Sequence, residues 1–174
     1  MDLSKTMIES GRLRLVPISP KYREDIFREF TDEITTFMRA PTPKSIADTD
    51  AFIEKSQKES REGSELVLVT TDKITGEFIG CCGIHKTNTP LPEFGIWIKK
   101  TAQGKKYGGE IVRALKRWVE DTMEFEQLVY HAAKENIRSR KIAESLGGIP
   151  VKEFLAKKGN GTEVVEVEYH IPHA

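Results

Sequence analysis

The run Gln103-Gly104-Lys105-Lys106-Tyr107-Gly108-Gly109-Glu110 places three glycines and two lysines directly before a helical pattern. Beyond it, Ile111, Ala114, Leu115, Trp118 and Val119 recur on one helical face. A helix start carries N–H groups without intrahelical acceptors and the positive end of the dipole, and glycines let an anion approach the main chain. The run reads as a cradle for phosphate, suited to the pyrophosphate of a nucleotide-type cofactor. Lys99 and Lys100 add positive charge upstream, and no acid lies between Lys99 and Gly109. An ordinary loop with a solvated charge cluster would have the same composition. Two familiar phosphate motifs are excluded: there is no Gly-x-x-x-x-Gly-Lys-Ser/Thr, and no Gly-x-Gly-x-x-Gly follows the first strand.

A second constellation opens at Asn136. Asn136, Ser139, Ala143 and Leu146 share a helical face, and the apolar Ile142 and Leu146 should bury it. Asn136 is expected to cap the helix, and Ser139 then points inward. Two readings stand here. Ser139 bonds back to its own helix, or the two polar groups face a cleft and hold an amide-bearing cofactor arm and a departing sulfur.

The elements that must position these residues follow from periodicity and turn chemistry. Arg12 to Ile18 alternates as an opening strand with Leu13 and Leu15 to one side. Ser19-Pro20 starts a helix through about Phe30. After Pro41 and Pro43, Ser45 caps a polar helix to about Arg61, stopped by Gly63. Leu66–Thr70, Glu77–His85 and Glu93–Ile98 form a three-strand meander. A helix over 109–123, a strand over Gln127–Ala132 and the helix from Asn136 come next. Val151–Ala156 and Val164–Ile171 close as a hairpin around Gly159-Asn160-Gly161.

With 174 residues, 38% hydrophobic and 31% charged, the chain suits one α+β domain over 1–174 with no need of a covalent staple. The 27 basic and 27 acidic residues cancel, which argues against nucleic acid as a partner. No apolar run approaches a membrane span and the first residues lack a signal-peptide core, so a cytoplasmic location is expected. Cys81 and Cys82 are adjacent, too close for an ordinary disulfide and without zinc-ligand spacing, so no metal is expected.

Q-G-K-K-Y-G, a helix, a strand, then N-I-R-S-R-K-I-A-E-S-L-G resembles the acetyl-CoA signatures of the GNAT N-acetyltransferases. The opening G-R-L-R-L-V-P-I and the strand P-E-F-G-I-W-I look like the RimJ/RimL type within that superfamily. The resemblance covers residues 9 to 171. It implies a twisted, mostly antiparallel sheet of about seven strands flanked by helices and splayed at the cofactor cleft. It also implies acetyl transfer from acetyl-CoA, as cosubstrate, to a primary amine by direct attack in a ternary complex. The acceptors in view are a ribosomal or other protein N-terminus and small amines, and the chain is expected as monomer or homodimer. The alternative is a non-catalytic acyl-CoA-binding module. Two departures stand out. Lys106 occupies a position where the family usually has glycine, and Ala143 replaces the tyrosine acid of many relatives. Ser139 or a water is left to protonate the thiolate, and RimJ/RimL-type sequences share that serine.

On this resemblance, the coenzyme should meet Phe94, Trp97 and Ile98 through backbone groups. Gln103, Gly104, Lys105, Lys106, Tyr107, Gly108 and Gly109 should hold the phosphates, with Asn136 and Ser139 along the arm. Arg138, Arg140 and Lys141 are further candidates for the outer phosphate. An attacking amine must be neutral, yet an α-amine titrates near ~8 and a lysine near ~10.4, so a proton acceptor is needed. Glu93 is the first candidate. A tight turn near Thr89 sets His85 opposite Glu93, and the pair could relay the proton. Tyr130 is a weaker alternative acid. Asp32, Glu33, Asp48 and Asp50 are candidates for attracting a cationic acceptor.

Overall fold

The computed structural model describes residues 1–173. Strands β1 (Ile8–Glu9), β2 (Leu13–Pro17), β3 (Glu65–Asp72), β4 (Phe78–His85), β5 (Glu93–Ile98), β6 (Leu128–Ala133), β7 (Ile149–Lys157) and β8 (Glu163–Ile171) form one sheet in the order β1-β2-β3-β4-β5-β6-β8-β7. The expected seven strands become eight because the two-residue β1 folds back on β2. Such a short piece has no alternation to reveal it. Every pairing is antiparallel except β5 with β6.

Helices cover both faces. On one side lie α4 (Tyr107–Thr122) and α5 (Ile137–Ser145), whose Ile111, Leu115, Val119 and Ala143 are fully buried against Leu68, Ile84, Tyr130 and Tyr169. On the other lie α1 (Arg23–Glu29), the single turn α2 (Asp32–Thr35) and α3 (Ile46–Glu62), packed through Ile26 and Ile53 on Val69, Phe78 and Cys81. The proline at residue 20 starts a 3-10 turn rather than α1 itself, which opens at Arg23 and ends one residue before Phe30. The polar helix α3 behaves as its ends foretell. Ser45 and Asp48 form a reciprocal capping box, and Gly63 terminates the helix at φ 75°.

The feature that organises the molecule is the seam between β5 and β6. Only Glu93–Val129 and Phe94–Tyr130 pair across it. Beyond those two positions the strands part, so Gly95–Ile98 and His131–Ala133 border an open wedge. Among the described residues no helix is long and apolar enough to cross a membrane.

Candidate active site

The wedge opens into a cleft of about 1750 Å³ lined by Phe94 to Trp97, Tyr130 to Ala133, Asn136, Ser139 and the segment from Thr35 to Lys44. Backbone alternation decides which β5 groups face it. Lys99 donates its N–H to Ile79 O across β4, so the odd-numbered residues of β5 bond toward β4. Phe94, Ile96 and Ile98 therefore turn their main chain toward β6. Phe94 is used in the short seam, and the Ile98 carbonyl accepts the Gln103 side-chain amide at 3.1 Å. The Ile96 peptide is left directed into the wedge. Trp97, expected to meet a cofactor through its backbone, bonds toward β4, and its ring packs on Phe30 at 4.8 Å and Phe78 at 5.8 Å.

The glycine-rich run lies past the end of β5. Gly104 has φ 82° and Lys106 φ 64°, so the position where the family favours glycine is left-handed and Lys106 bears that cost. Lys106 caps α4 without a side-chain hydrogen bond. None of the N–H groups from Gly104 to Gly108 reaches an acceptor elsewhere in the chain among the described residues. The loop is bolted from outside. Glu110 accepts from Ser10 Oγ (2.6 Å), Arg12 N (2.8 Å) and Arg12 Nε (2.7 Å), while Arg12 Nη1 donates to Lys105 O at 3.1 Å and its guanidinium lies 4.5 Å over the Tyr107 ring. Gly108 is closely packed, since a Cβ there would stand 2.6 Å from Ile142 Cδ1. Gly109 faces only the far end of Arg113. The upstream lysines do not join the loop's charge: Lys99 Nζ is bound to Glu77 at 2.6 Å and Lys100 is paired with Glu33.

On α5, Asn136 Oδ1 accepts the Ser139 N–H at 3.2 Å, a true N-cap, and Ser139 Oγ sits 2.9 Å from the Tyr130 hydroxyl. Ser139 thus faces inward to the sheet rather than bonding back to its helix. Burial of Tyr130 raises its phenol to about 12 despite the serine contact, so it stays protonated. Arg138 donates to Gln103 Oε1 at 3.3 Å, and Arg140 is occupied by Tyr169 and the Lys134 carbonyl.

The opposite face of the wedge holds the ionisable groups. His85 is in register with Glu93, as the turn geometry implies, but the two side chains do not pair. The His85 Nδ1 bonds Glu65, and its Nε2 lies above Gly95, where a Cβ would come within 2.5 Å. Burial disfavours the His85 imidazolium, yet the Glu65 hydrogen bond and the charges of Glu65 and Glu93 outweigh that and raise its pKa. Glu93 instead bonds His131 Nδ1 at 2.7 Å and Lys86 Nζ at 3.0 Å. Burial works against its charge, but these two cations overcome it and hold the carboxyl at about 2. His131 Nε2 meets Glu168 Oε2 at 2.9 Å, so the ring joins two carboxylates and carries two protons.

Sequence reasoning missed Glu65, His131 and Glu168. The one signal was a tyrosine and a histidine inside the apolar strand Leu-Val-Tyr-His-Ala-Ala. Of the acids expected to draw an acceptor, Glu33 is spent on Lys100, Asp48 on the α3 cap and Asp50 on a two-point bond with Arg23. Asp32 lines the cleft. Both cysteines are buried thiols pushed up by desolvation, Cys82 to about 12, and offer no nucleophile.

Residues 12–149 match the family described as an acetyltransferase (GNAT) domain. No curated protein matches the chain. Among solved structures, the RimL ribosomal L7/L12 alpha-N-protein acetyltransferase in complex with coenzyme A is 14% identical at TM-score 0.84, covering 95% of this chain and 97% of that one. The Microcin C7 self immunity acetyltransferase MccE, in complex with acetyl-CoA and AMP, is 19% identical at TM-score 0.81 and covers 92% of each chain. Spermidine N-acetyltransferase from Vibrio cholerae, in complex with CoA and spermine, is 17% identical at TM-score 0.77, covering 94% and 98%. At such identities the likeness is one of fold.

Proposed function

Since this chain belongs to the acetyltransferase (GNAT) domain family and is an acetyl-CoA-dependent N-acetyltransferase, we propose that it acetylates a primary amine by direct attack in the β5–β6 wedge, with His85 accepting the amine's proton. The observation that carries this reading is the His85 imidazole, which lines the cleft, fixed by Glu65 at one nitrogen and, over Gly95, without a hydrogen-bond partner at the other among the described residues. The residues present fit the coenzyme. Five consecutive N–H groups, Gly104 to Gly108, are free at a helix start, and Lys105 and Lys106 add charge beside them. Acetyl-CoA supplies the activated acyl group.

The chain's own groups divide the remaining work. The Ile96 N–H stabilises negative charge developing on the acyl oxygen, a contribution of a few kcal/mol for a preorganised donor. Glu93, ionised down to about 2, holds His131 and Lys86 in place beside the wedge. His85 in its neutral form takes the proton at Nε2, and Glu65 holds the tautomer that leaves Nε2 bare. Ser139 donates to the departing sulfur, with the Tyr130 hydroxyl donating to Ser139 in turn.

The test follows free thiol released from acetyl-CoA across a panel of amines and from pH 5 to pH 9. His85→Gln should lower kcat by roughly 10²–10⁴-fold. Glu65 raises the His85 pKa, and the base works only when neutral. Glu65→Gln should therefore move the rising limb of the kcat profile to lower pH with the same amine. Wild-type rates in His85→Gln would refute the assignment, and coenzyme binding without turnover on any amine would refute the enzymatic reading.

A further inference from the structure

Beyond His85 the cleft runs on beneath α3 and the segment that precedes it, and its character changes. Phe30, Met38, Phe52 and Trp97 wall this stretch, with Phe52 left 42% exposed at the mouth. Thr35, Thr42, Asp32 and Asp48 also line it, and one further polar group stands apart from them. Thr49, in the first turns of α3, is 2% exposed, lines the cleft, and its hydroxyl is the one buried side-chain polar atom without a hydrogen-bond partner among the described residues.

A helical threonine ordinarily bonds back to the carbonyl four residues earlier. Here the Ser45 carbonyl takes the Asp48 N–H at 3.1 Å, and Thr49 Oγ1 stays outside that arrangement. Leaving a buried hydroxyl unpaired costs its full desolvation, and native proteins do so rarely. Valine would have filled the same volume without that cost. A hydroxyl retained there, in a residue that lines a cleft, is accounted for by a ligand that pairs with it.

We propose that Thr49 is the specificity contact of the acceptor subsite, and that the acceptor is a primary amine on a bulky apolar body bearing one carbonyl or hydroxyl group. The proposal rests on the wedge being the acetyl-transfer site and names its second substrate. The Thr49 hydroxyl can donate to a carbonyl or accept from a hydroxyl, which fixes the chemistry at one hydrogen bond rather than a charge. A polycation is disfavoured by what surrounds the pocket. Of the carboxylates that line the cleft, Asp48 is bound in the α3 cap, Glu65 to His85, Glu93 to His131 and Lys86, and Glu166 to Arg39. Asp32 is then a single carboxylate, not the row that a polyamine would need.

The experiment compares phenylalanine amide, phenethylamine, a short peptide beginning with phenylalanine, and spermidine as acceptors, in wild type and in Thr49→Val and Thr49→Ser. Wild type should favour phenylalanine amide over phenethylamine and spermidine by at least tenfold in kcat/KM. Thr49→Val should raise KM for the amide about tenfold, leave kcat and the acetyl-CoA KM unchanged, and erase the advantage over phenethylamine. Thr49→Ser should restore it. The apo Tm of Thr49→Val should hold or rise, which separates a ligand contact from a structural one. The peptide arm distinguishes a protein N-terminus from a free small amine. An unchanged KM in Thr49→Val, or spermidine as the best acceptor, overturns the proposal. If no amine turns over, the acetyl-transfer reading fails separately. Binding of phenylalanine amide, read as a Tm shift present in wild type and absent in Thr49→Val, still decides the subsite.

Discussion

Replacing His131 by glutamine tests whether the seam between the two parts of the sheet is held by charge. In wild type, Glu93 lies at about 2 against an ordinary 4.5. That depression corresponds to roughly 3 kcal/mol. Lys86 also bonds Glu93 and remains in the variant, so the share lost with His131 is about 2 kcal/mol. The sign follows from the direction of each shift. A depressed carboxyl contributes stability that is present above 4.5 and is lost as pH falls through about 2. The raised His131 contributes below 6.5 and its share is lost as pH rises through its folded value. Without the imidazolium, burial dominates at Glu93 and its pKa climbs. The variant should be about 2 kcal/mol less stable than wild type in urea at pH 7, and the deficit should shrink steadily from pH 5 toward pH 3. A deficit below about 0.5 kcal/mol at pH 7, or one that does not change with pH, would refute the argument.

Ser139→Ala should lower kcat by about 10²-fold with little change in the acetyl-CoA KM, and Tyr130→Phe should lower it less; steady-state rates unchanged in both would remove this hydroxyl pair from the reaction. Lys106→Gly relieves a left-handed non-glycine residue at φ 64° but loosens the unfolded chain, so calorimetry should show Tm rising by about 1–3 °C. The same variant should weaken acetyl-CoA binding by no more than about fivefold, because one exposed lysine contributes at most about 1 kcal/mol; a fall in Tm would show that the lysine is packed rather than strained.

What was legible in the sequence was local. The helix start after the glycine-rich run, the Asn136 cap, the ends of α3 and the His85–Glu93 register each depend on residues within about a dozen positions. Periodicity and turn chemistry speak over that range. Hidden contacts join distant segments. His131 meets acids 38 and 37 residues away, His85 meets Glu65 20 residues back, and Glu110 reaches 98 residues to Arg12. Nothing in the local pattern says which carboxylate a histidine will choose. The same blindness made Lys99 and Lys100 look like part of the phosphate site, although Glu77 and Glu33 had claimed them. At Gly108 the absence of a side chain marks a tight place, and its neighbour Ile142 lies 34 residues along the chain.

In most sheets adjacent strands are stitched by peptide groups whose bonding is indifferent to acidity. Here β5 and β6 share two residue pairs and backbone bonds into Pro90 and Pro92, reinforced by Glu93 with His131, while Arg39 with Glu166 ties the segment after α2 to β8. The Gly159 N–H to the Arg39 carbonyl and Lys158 to the Thr36 carbonyl tie the far rim. Part of the structural continuity between the two halves is therefore entrusted to charged side chains rather than to the peptide ladder.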